Sequence, residues 1–480
     1  MRPDRDVFRF GPFELDSARR RLMRGRERVP LRDSHLDLLL LLVQCAGQIV
    51  SKDVLAEAGW KGTAVDDNNV AQAVSRLRKT LGAQKDGKPF IENVIGRGYR
   101  FAGPVERGDP GRPHLAVDAL VAPHRVFVDG RAALETLGRD DVARACPAFE
   151  EALGLAPEHP AAHLGLANAC FLQFESTRVD VAPDVAALER ATHHAREACR
   201  LDPASGEAWS TLALVLSCHG DAPAAIAAAR AAIALEPYDW CHHLRLAFVS
   251  WGGQRLRAAK RVAHMYPGLA LAHWFTGTVL IGRQLYDEAV EELRIGCVAH
   301  DAQRTQTGRF NAVGLHLLLG LLLAARGAHD QALEEFSREL ADLNARHVYA
   351  RECGANTWYA IGALGLRQGC RDEAAAAFRE ALTRVPGHPL ASVGLASISP
   401  SSAPFTSRPP ANPVHVASVQ AAVLALRGKH DDAAGLCGAA LCHAAPGSAG
   451  WLLPLDPLIH ATAHPGAWAH TLGILRHRAA

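Results

Sequence analysis

The sequence predicts two architectures in one chain: a small α+β domain at the N-terminus and an all-α repeat solenoid behind it. Three observations support this division. Within the first 105 residues, short apolar runs broken by turns give way to helical spacing. Farther along, proline ends successive helical patterns, as at Pro203 and Pro237, which are 34 residues apart. The charge balance also changes between residues 1–105 and residues 106–480.

The charge is distributed unevenly along the 480 residues. The whole chain is 49% hydrophobic and 21% charged, an ordinary globular composition, with a formal net charge of +2. Residues 1–105 contain 19 Lys/Arg and 13 Asp/Glu, whereas residues 106–480 contain 33 and 37. A net charge of +6 over residues 1–105 and of −4 over residues 106–480 predicts a polyanionic partner for the N-terminal segment alone.

Cysteine usage and hydropathy predict a cytoplasmic protein that does not bind a membrane. The eleven cysteines are scattered without a CxxC pair, and many lie beside alanine, as expected for small apolar residues in a reducing compartment. The N-terminus MRPDRDVFRF has no apolar run behind its charges, unlike a signal peptide. The longest apolar stretches, LDLLLLLVQCAG and LHLLLGLLLAA, are shorter than the about 18 residues of a membrane span.

The N-terminal elements follow in a clear order. VFRFGPFELD, SARRRLMRG and RERVPL alternate and turn, which predicts a small antiparallel sheet of about four short strands. Helical spacing then runs from Asp33 to near Gly47. A short helix over 51–58 has Ser51 at its N-cap, and a helix over 67–81 ends before Gly82. A β-hairpin over 90–103 completes the domain.

The helix over 67–81 has an apolar face and a polar face. Val70, Val74, Leu77 and Leu81 share one side at about 100° per residue. The polar side offers amides, which can pair with adenine, and arginine, which can pair with guanine. A solvated surface would show the same pattern, but a short capped helix precedes this one, as in a helix-turn-helix. The candidate contact residues for double-stranded DNA are Asn68, Asn69, Gln72, Ser75, Arg76, Arg78 and Lys79.

The stretch NVIGRGYRF, residues 93–101, has glycines on both sides of Arg97. A glycine loop that cradles a nucleotide phosphate must open a helix after its glycines. Here Tyr99, Arg100 and Phe101 continue as an extended strand, and Pro104 follows. We therefore predict a hairpin with Arg97 at its tip, with Tyr99 and Phe101 on one face of the returning strand. Its candidate DNA contacts are Arg97, Tyr99 and Arg100.

Residues 7–105 resemble OmpR/PhoB-type winged-helix DNA-binding domains. The matching landmarks are FRFGPFELD, RVPL, GQIVSKDVL, the tryptophan that closes the second helix, VSRLRKTLG and PFIENVIGRGYRF. The resemblance implies that helix 67–81 enters the major groove and that hairpin 90–103, the wing, approaches the minor groove. Ile95 stands where the family commonly has arginine, so Arg97 is expected to carry more of the wing contact.

The resemblance also implies partners. Family members usually bind direct repeats head to tail, so a homodimer on DNA is expected. The loop GWKGTAVDD corresponds to one that often faces RNA polymerase, which makes Trp60, Lys61 and Asp66 its candidate contacts. No phosphoacceptor domain precedes the winged helix, so aspartyl phosphorylation is not the expected input.

Farther along, a spacing of large and small residues recurs before each repeat-ending proline. Alanines lie 12 and 5 residues before Pro157, Pro237 and Pro386. With a period of 34 residues, this is the tetratricopeptide pattern, in which large residues of one helix fill gaps left by alanines of the next. The residues at these positions are Ala145, Phe149, Ala152, Trp209, Leu212, Ala225, Ala232, Trp358, Gly362, Ala374, Phe378 and Ala381.

The pattern weakens in several places. The segment 240–267 is short and degenerate, and ESTRVDVAPDV looks like an enlarged loop. The tail is expected to form a capping helix over an apolar, proline-flanked segment. The predicted division is a winged-helix domain at 1–105, a linker at 106–124, repeats at 125–398, a Pro/Ser-rich interruption at 399–415, and a further hairpin with a cap at 416–480.

The predicted fold class is therefore multidomain: an α+β winged helix-turn-helix domain plus an all-α tetratricopeptide-repeat solenoid. The arrangement is similar to winged-helix regulators with C-terminal repeats, such as invasion-gene activators of the HilA type. The predicted function is sequence-specific transcriptional regulation, with the repeats serving input or oligomerisation. The alternative is an interaction scaffold whose winged helix docks proteins instead of DNA.

Neither an enzyme nor a cofactor site is expected. GxSxG, HExxH and Walker A sequences are absent. Adjacent histidines such as His193-His194 and His242-His243 point about 100° apart on a helix, so no metal site is predicted there. The repeats can bind a protein or peptide, a small molecule or a second copy of the chain. Activation and repression both stay open.

Overall fold

A computed structural model describes most of the chain in two compact units, which divide between residues 121 and 122. The two units are treated separately below. The described ranges are 7–17, 21–25, 27–31, 33–60, 67–84, 87–94, 98–107, 137–306, 312–343, 347–399 and 412–480.

The first unit has an α+β architecture. Its described strands are β1 Val7–Phe10, β2 Phe13–Asp16, β3 Arg21–Arg24, β4 Glu27–Val29, β5 Ile49–Val50, β6 Ile91–Val94, β7 Gly98–Phe101 and β8 Glu106–Arg107. Its described helices are α1 Asp33–Gln44, α2 Lys52–Trp60 and α3 Asp67–Leu81. The order of strands, three helices and a hairpin is the order that the sequence predicts.

Two antiparallel sheets flank the helices. The first has the strand order β4-β3-β2-β1-β8, and the second has the order β5-β7-β6. The four short N-terminal strands are as predicted, but β8 is an addition. It pairs with β1 in the register Phe8 to Arg107, two residues beyond the domain end predicted at 105. The domain boundaries themselves stay a prediction.

A cluster of phenylalanines joins the first sheet to the hairpin. The ring centroids of Phe10 and Phe101 lie 5.0 Å apart, and those of Phe13 and Phe90 lie 6.1 Å apart, both pairs edge to face. Each of these four residues is at most 3% exposed. Such pairs add to the burial of apolar area, so the cluster fixes the base of the hairpin against the sheet.

The second unit is built from consecutive helical hairpins, as the predicted solenoid requires. Among its described helices, none combines the length and the apolar character that crossing a bilayer demands. They are α4 Arg139–Leu155, α5 Pro160–Thr177, α6 Val185–Leu201, α7 Gly206–Cys218, α8 Ala222–Leu235, α9 Trp240–Val249, α10 Gly252–Met265, α11 Ala270–Gly282, α12 Tyr286–Gln306, α13 Leu315–Ala325, α14 His329–Asp342, α15 Ala350–Arg367, α16 Arg371–Arg384, α17 Pro389–Ile398, α18 Pro413–Leu426, α19 His430–His443 and α20 Pro465–Arg478.

The predicted fit of large residues into gaps is visible at Phe378. Its ring, fully buried, lies between two glycines on neighbouring helices. A Cβ atom at Gly362 would lie 2.8 Å from this ring, and one at Gly394 would lie 2.3 Å from it. A methyl group at either position would overlap the ring. Because glycine has no side chain, Phe378 on α16 can contact both α15 and α17.

Two segments differ from the sequence prediction. Residues 240–267 form a regular hairpin, α9 and α10, rather than a degenerate stretch. Most of the predicted loop ESTRVDVAPDV is a loop, but its first three residues continue α5 as far as Thr177. The loop ends at Asp184, whose carboxylate accepts a hydrogen bond of 2.9 Å from the amide of Ala187 and caps α6.

The C-terminal segment is tied to the repeats by buried polar contacts. Tyr359 donates from its hydroxyl to the carboxylate of Asp456 at 3.0 Å. Arg283 donates from Nε to the carbonyl of Ala479 at 2.8 Å, which fixes the end of α20. Two 3₁₀ turns, Leu453–Leu455 and Ala461–Ala463, precede the final helix and bury Leu453, Leu455 and Ala461.

Candidate nucleic-acid interface

Helix α3 carries a stripe of exposed polar side chains. Its apolar side chains at Val70, Val74, Leu77 and Leu81 are at most 4% exposed and fix the helix in the core. Positions three and four residues apart share a helix face, so the exposed polar residues fall in one row. We call this row the α3 stripe, and it consists of Gln72, Ser75, Arg76 and Lys79.

The α3 stripe is chemically suited to a DNA groove. Gln72 can form paired hydrogen bonds with adenine, and Arg76 can do so with guanine. Lys79 presents a compact positive charge that suits a phosphate. All three side chains are exposed, so the helix can offer them together to one ligand.

Arg78, also a predicted DNA contact, is turned away from the stripe. Its Nε donates a hydrogen bond of 2.7 Å to the carbonyl of Ile91 on β6. Its guanidinium also lies 5.9 Å from the centre of the Tyr99 ring on β7. Arg78 is half-buried and joins α3 to both strands of the hairpin, so its guanidinium is already engaged within the domain, and its role as a DNA contact stays a prediction.

The hairpin strands hold the other predicted wing residues. Tyr99 is 6% exposed and packs in the domain core, so its ring is not offered to a ligand. Arg100, directly opposite Glu92 in the β6–β7 register, donates to its carboxylate at 2.6 Å. The guanidinium of Arg100 is therefore partly exposed but already paired. The predicted shared face of Tyr99 and Phe101 is found, and Arg100 lies on the opposite face.

Gly98 sets the geometry at the start of β7. Its φ is +125°, a conformation that side-chain-bearing residues rarely adopt. A Cβ atom there would lie 2.1 Å from the carbonyl oxygen of Val50 on β5. This glycine lets the hairpin pack directly against β5, which begins just after α1 and is followed by α2.

Six predicted contacts lie outside the described part of the structure. The side chains of three of these residues are not described: Trp60, Asn68 and Asn69. The other three are not described at all: Lys61, Asp66 and Arg97. Their roles stay predictions.

The described N-terminal unit shows one thiol, and it is inert. Cys45 is 7% exposed, and burial raises the pKa of its thiol. A protonated, buried thiol is a poor nucleophile. Cys45 is therefore not offered to a ligand, unlike the exposed side chains of the α3 stripe.

Two family matches fit the two units. Residues 25–101 match the family described as "Transcriptional regulatory protein, C terminal". Residues 131–182 match the family described as "Tetratricopeptide repeat".

Individual relatives match the N-terminal unit. "Transcriptional regulator HilA" of Salmonella typhimurium is 32% identical over 99 residues, which are 21% of this chain and 18% of that protein. "Transcriptional activator CadC" of Escherichia coli is 31% identical over 100 residues, which are 21% of this chain and 20% of that protein. The solved Klebsiella pneumoniae RstA DNA-binding domain, in complex with the RstA box, is 36% identical. That match covers 20% of this chain and 96% of the solved one, with a TM-score of 0.18.

The chain spans about a fifth of the length of the two curated regulators that it matches. These likenesses therefore describe the N-terminal domain, and the repeats rest on their own family match. The chain carries an OmpR/PhoB-type transcriptional-regulator domain, which is followed by tetratricopeptide repeats.

Proposed function

We propose that this chain is a sequence-specific DNA-binding transcriptional regulator that inserts α3 into the major groove. The observation that carries the proposal is the α3 stripe: four exposed polar side chains on one face of the second helix of a helix-turn-helix. The net charge of +6 over residues 1–105 supports a polyanionic ligand.

The hairpin has a separate part in this proposal. Arg78 holds β6 and β7 at a fixed distance from α3. A hairpin held in this way can enter the minor groove while α3 reads bases in the major groove, and its contacts to the DNA backbone can fix the register. We propose that Arg97 supplies the charge at the tip of the hairpin.

The test removes two charges from the α3 stripe of the full chain. The variant Arg76→Ala/Lys79→Ala should lose affinity for the native promoter in a mobility-shift assay. Each lost phosphate contact should also reduce the slope of log affinity against log salt by about 0.9. Substitution at these exposed positions should leave the fold intact.

A matched control removes the same charge elsewhere. Arg9→Ala/Arg28→Ala takes two exposed arginines from the five-stranded sheet. If both double variants bind equally well, or equally badly, α3 is not the reading element. Loss confined to the α3 variant supports the proposal.

The partners of the whole protein are part of the proposal. We propose a homodimer on direct-repeat DNA, a contact between RNA polymerase and the loop that contains Lys61, and a protein or peptide partner for the repeats. A cytoplasmic location is supported by the eleven cysteines, all of which are unpaired. Deleting residues 125–480 should leave DNA binding intact, whereas a scaffold without DNA-reading activity would show none.

A further inference from the structure

A buried histidine lies at the junction of α12, α13 and α14. His316, in the first turn of α13, is 4% exposed. Its Nδ1 lies 2.6 Å from Oε2 of Glu335 on α14. A carboxylate at this distance holds the ring proton on Nδ1, which leaves the lone pair on Nε2. This is the orientation in which a protein histidine usually binds a metal ion.

The free nitrogen of His316 has no hydrogen-bond partner although it is buried. One ring nitrogen of His316 and one carboxylate oxygen each of Asp301 and Asp342 all lie within 4.8 Å of one another. Because Nδ1 is held by Glu335, Nε2 is the nitrogen available to this group. Carboxylates have lone pairs for several partners at once, so both aspartates can serve as ligands.

A second histidine with an unpartnered nitrogen lies near the first. His300, 7% exposed, has a buried Nδ1 without a hydrogen bond, and its ring centre is 6.3 Å from that of His316. Buried polar atoms are nearly always satisfied, so both nitrogens can take a further partner, and the carboxylates of Asp301 and Asp342 lie beside His316 to share it.

We propose that His316, Asp301 and Asp342 bind a divalent metal ion of the zinc class. Glu335 orients the histidine, and His300 or a water molecule completes the coordination. Zinc takes nitrogen and oxygen ligands at about 2.0–2.2 Å in a tetrahedron. Three ligand atoms already within 4.8 Å of one another need only small side-chain movements to reach that geometry.

A neighbouring group of residues offers a different ligand set. Ligand atoms of Cys297, His316 and Glu335 also lie within 4.8 Å of one another. Both carboxylate oxygens of Glu335 are already bonded in this group, one to Nδ1 of His316 at 2.6 Å and the other to Arg338 at 3.0 Å. The aspartate group is therefore the better site.

The preceding hairpin provides an internal comparison. His273 and Glu292 are 19 residues apart, as His316 and Glu335 are, and His273 Nδ1 lies 2.7 Å from the carboxylate. Nε2 of His273 is also buried and unpartnered. Within the described ranges, however, no group of possible ligands includes His273. The histidine–glutamate contact thus belongs to the hairpin, and the two aspartates distinguish the proposed site.

A bound ion would link three helices, because Asp301 lies on α12, His316 on α13 and Asp342 at the end of α14. Binding to the folded state alone stabilises that state in proportion to ligand concentration. Zinc should therefore raise the melting temperature of the repeats as well as occupy the site.

The test uses the full chain without a histidine tag, stripped with a chelator and then titrated with Zn²⁺ against a chromophoric competitor. The wild type should bind one equivalent tightly and melt at a higher temperature. Asp301→Asn and Asp342→Asn should each weaken this binding by more than about 10-fold, the lower bound for losing a group that merely supports a ligand. The chain has 24 histidines, so weak surface binding must be separated from the tight equivalent.

Two variants serve as controls that should keep the tight equivalent: His273→Gln and Cys297→Ser. The proposal is overturned if the wild type binds no tight equivalent, or if both asparagine variants bind as the wild type does. It is also overturned if Cys297→Ser abolishes binding while Asp342→Asn retains it, because the ion would then belong to the cysteine group. The proposed site is supported if both control variants keep the tight equivalent of Zn²⁺ and both asparagine variants lose it.

Discussion

Arg78 gives the sharpest prediction about how the domain works. The variant Arg78→Met keeps an unbranched apolar stem beside Tyr99 but removes the donor to the carbonyl of Ile91. If Arg78 positions the hairpin, this variant should loosen β6 and β7 without removing a DNA contact. If Arg78 contacts a phosphate, the variant should behave like a substitution in the α3 stripe.

The magnitude follows from the hydrogen bond. Bonds to a charged group contribute about 1.5–3 kcal/mol, and the net value falls where water reaches the pair. Arg78 is half-buried, so we expect about 1–2 kcal/mol. Losing that free energy should make the open form of the hairpin about 5–30 times more populated.

Two measurements on the full chain separate the alternatives. Hydrogen exchange, followed by mass spectrometry, should show faster exchange by that factor in peptides that cover β6 and β7. DNA affinity should fall, yet the salt slope should stay at its wild-type value. In Lys79→Met, exchange should be unchanged and the slope should drop by about 0.9. Unchanged exchange in Arg78→Met, with a reduced slope, would refute the positioning role.

Two further predictions concern the repeats. Gly394→Ala should destabilise the chain by about 1–3 kcal/mol in urea unfolding, because its methyl group overlaps the Phe378 ring. Gly435→Ala, which meets nothing within 4 Å, should be neutral or stabilise by up to about 1 kcal/mol, and equal effects would contradict this packing. Burial lowers the pKa of His388 to about 4, so the unfolded chain binds the proton more readily and stability should fall as the pH drops from about 6.5 towards 4. His388→Asn should flatten this fall by up to about 1.4 kcal/mol per pH unit, whereas an unchanged pH profile, or the same flattening in the exposed His264→Asn, would contradict it.

Long, strongly patterned elements could be predicted from the sequence. Helix α3 spans Asp67–Leu81, the range predicted from its apolar period and its terminal glycine. The two-residue strand β8 could not be predicted, because a strand of that length exists only through its pairing with β1. The two residues of β8 do not indicate by themselves that β1 will pair with them.

The hairpin α9–α10 was not predicted as a regular repeat, because a buried charged residue breaks its sequence pattern. Arg255 is 8% exposed, and its Nε donates to the carbonyls of Ala247 and Ser250 at 2.9 Å. A buried arginine interrupts the alternation of large and small apolar residues on which the sequence prediction depends. The backbone carbonyls that satisfy it are visible only in the folded chain.

The candidate sites show the same limit. Helical spacing was enough to group the four side chains of the α3 stripe. The turning of Arg78 towards Ile91 depends on where the hairpin lies, which spacing does not encode. Likewise, Asp301 and Asp342 are far apart in sequence, and His316 has neither a histidine nor a cysteine at ligand spacing beside it. Sequence spacing therefore predicts no metal site.

The central claim is that the chain reads DNA sequence through the α3 stripe. The most direct measurement is the ratio of affinities of the full chain for its selected site and for a scrambled duplex, at one fixed salt concentration. We predict a wild-type ratio of about 10³ or more, and a clearly smaller ratio for Gln72→Ala/Arg76→Ala. A wild-type ratio near one, or the same ratio in both proteins, would contradict the account.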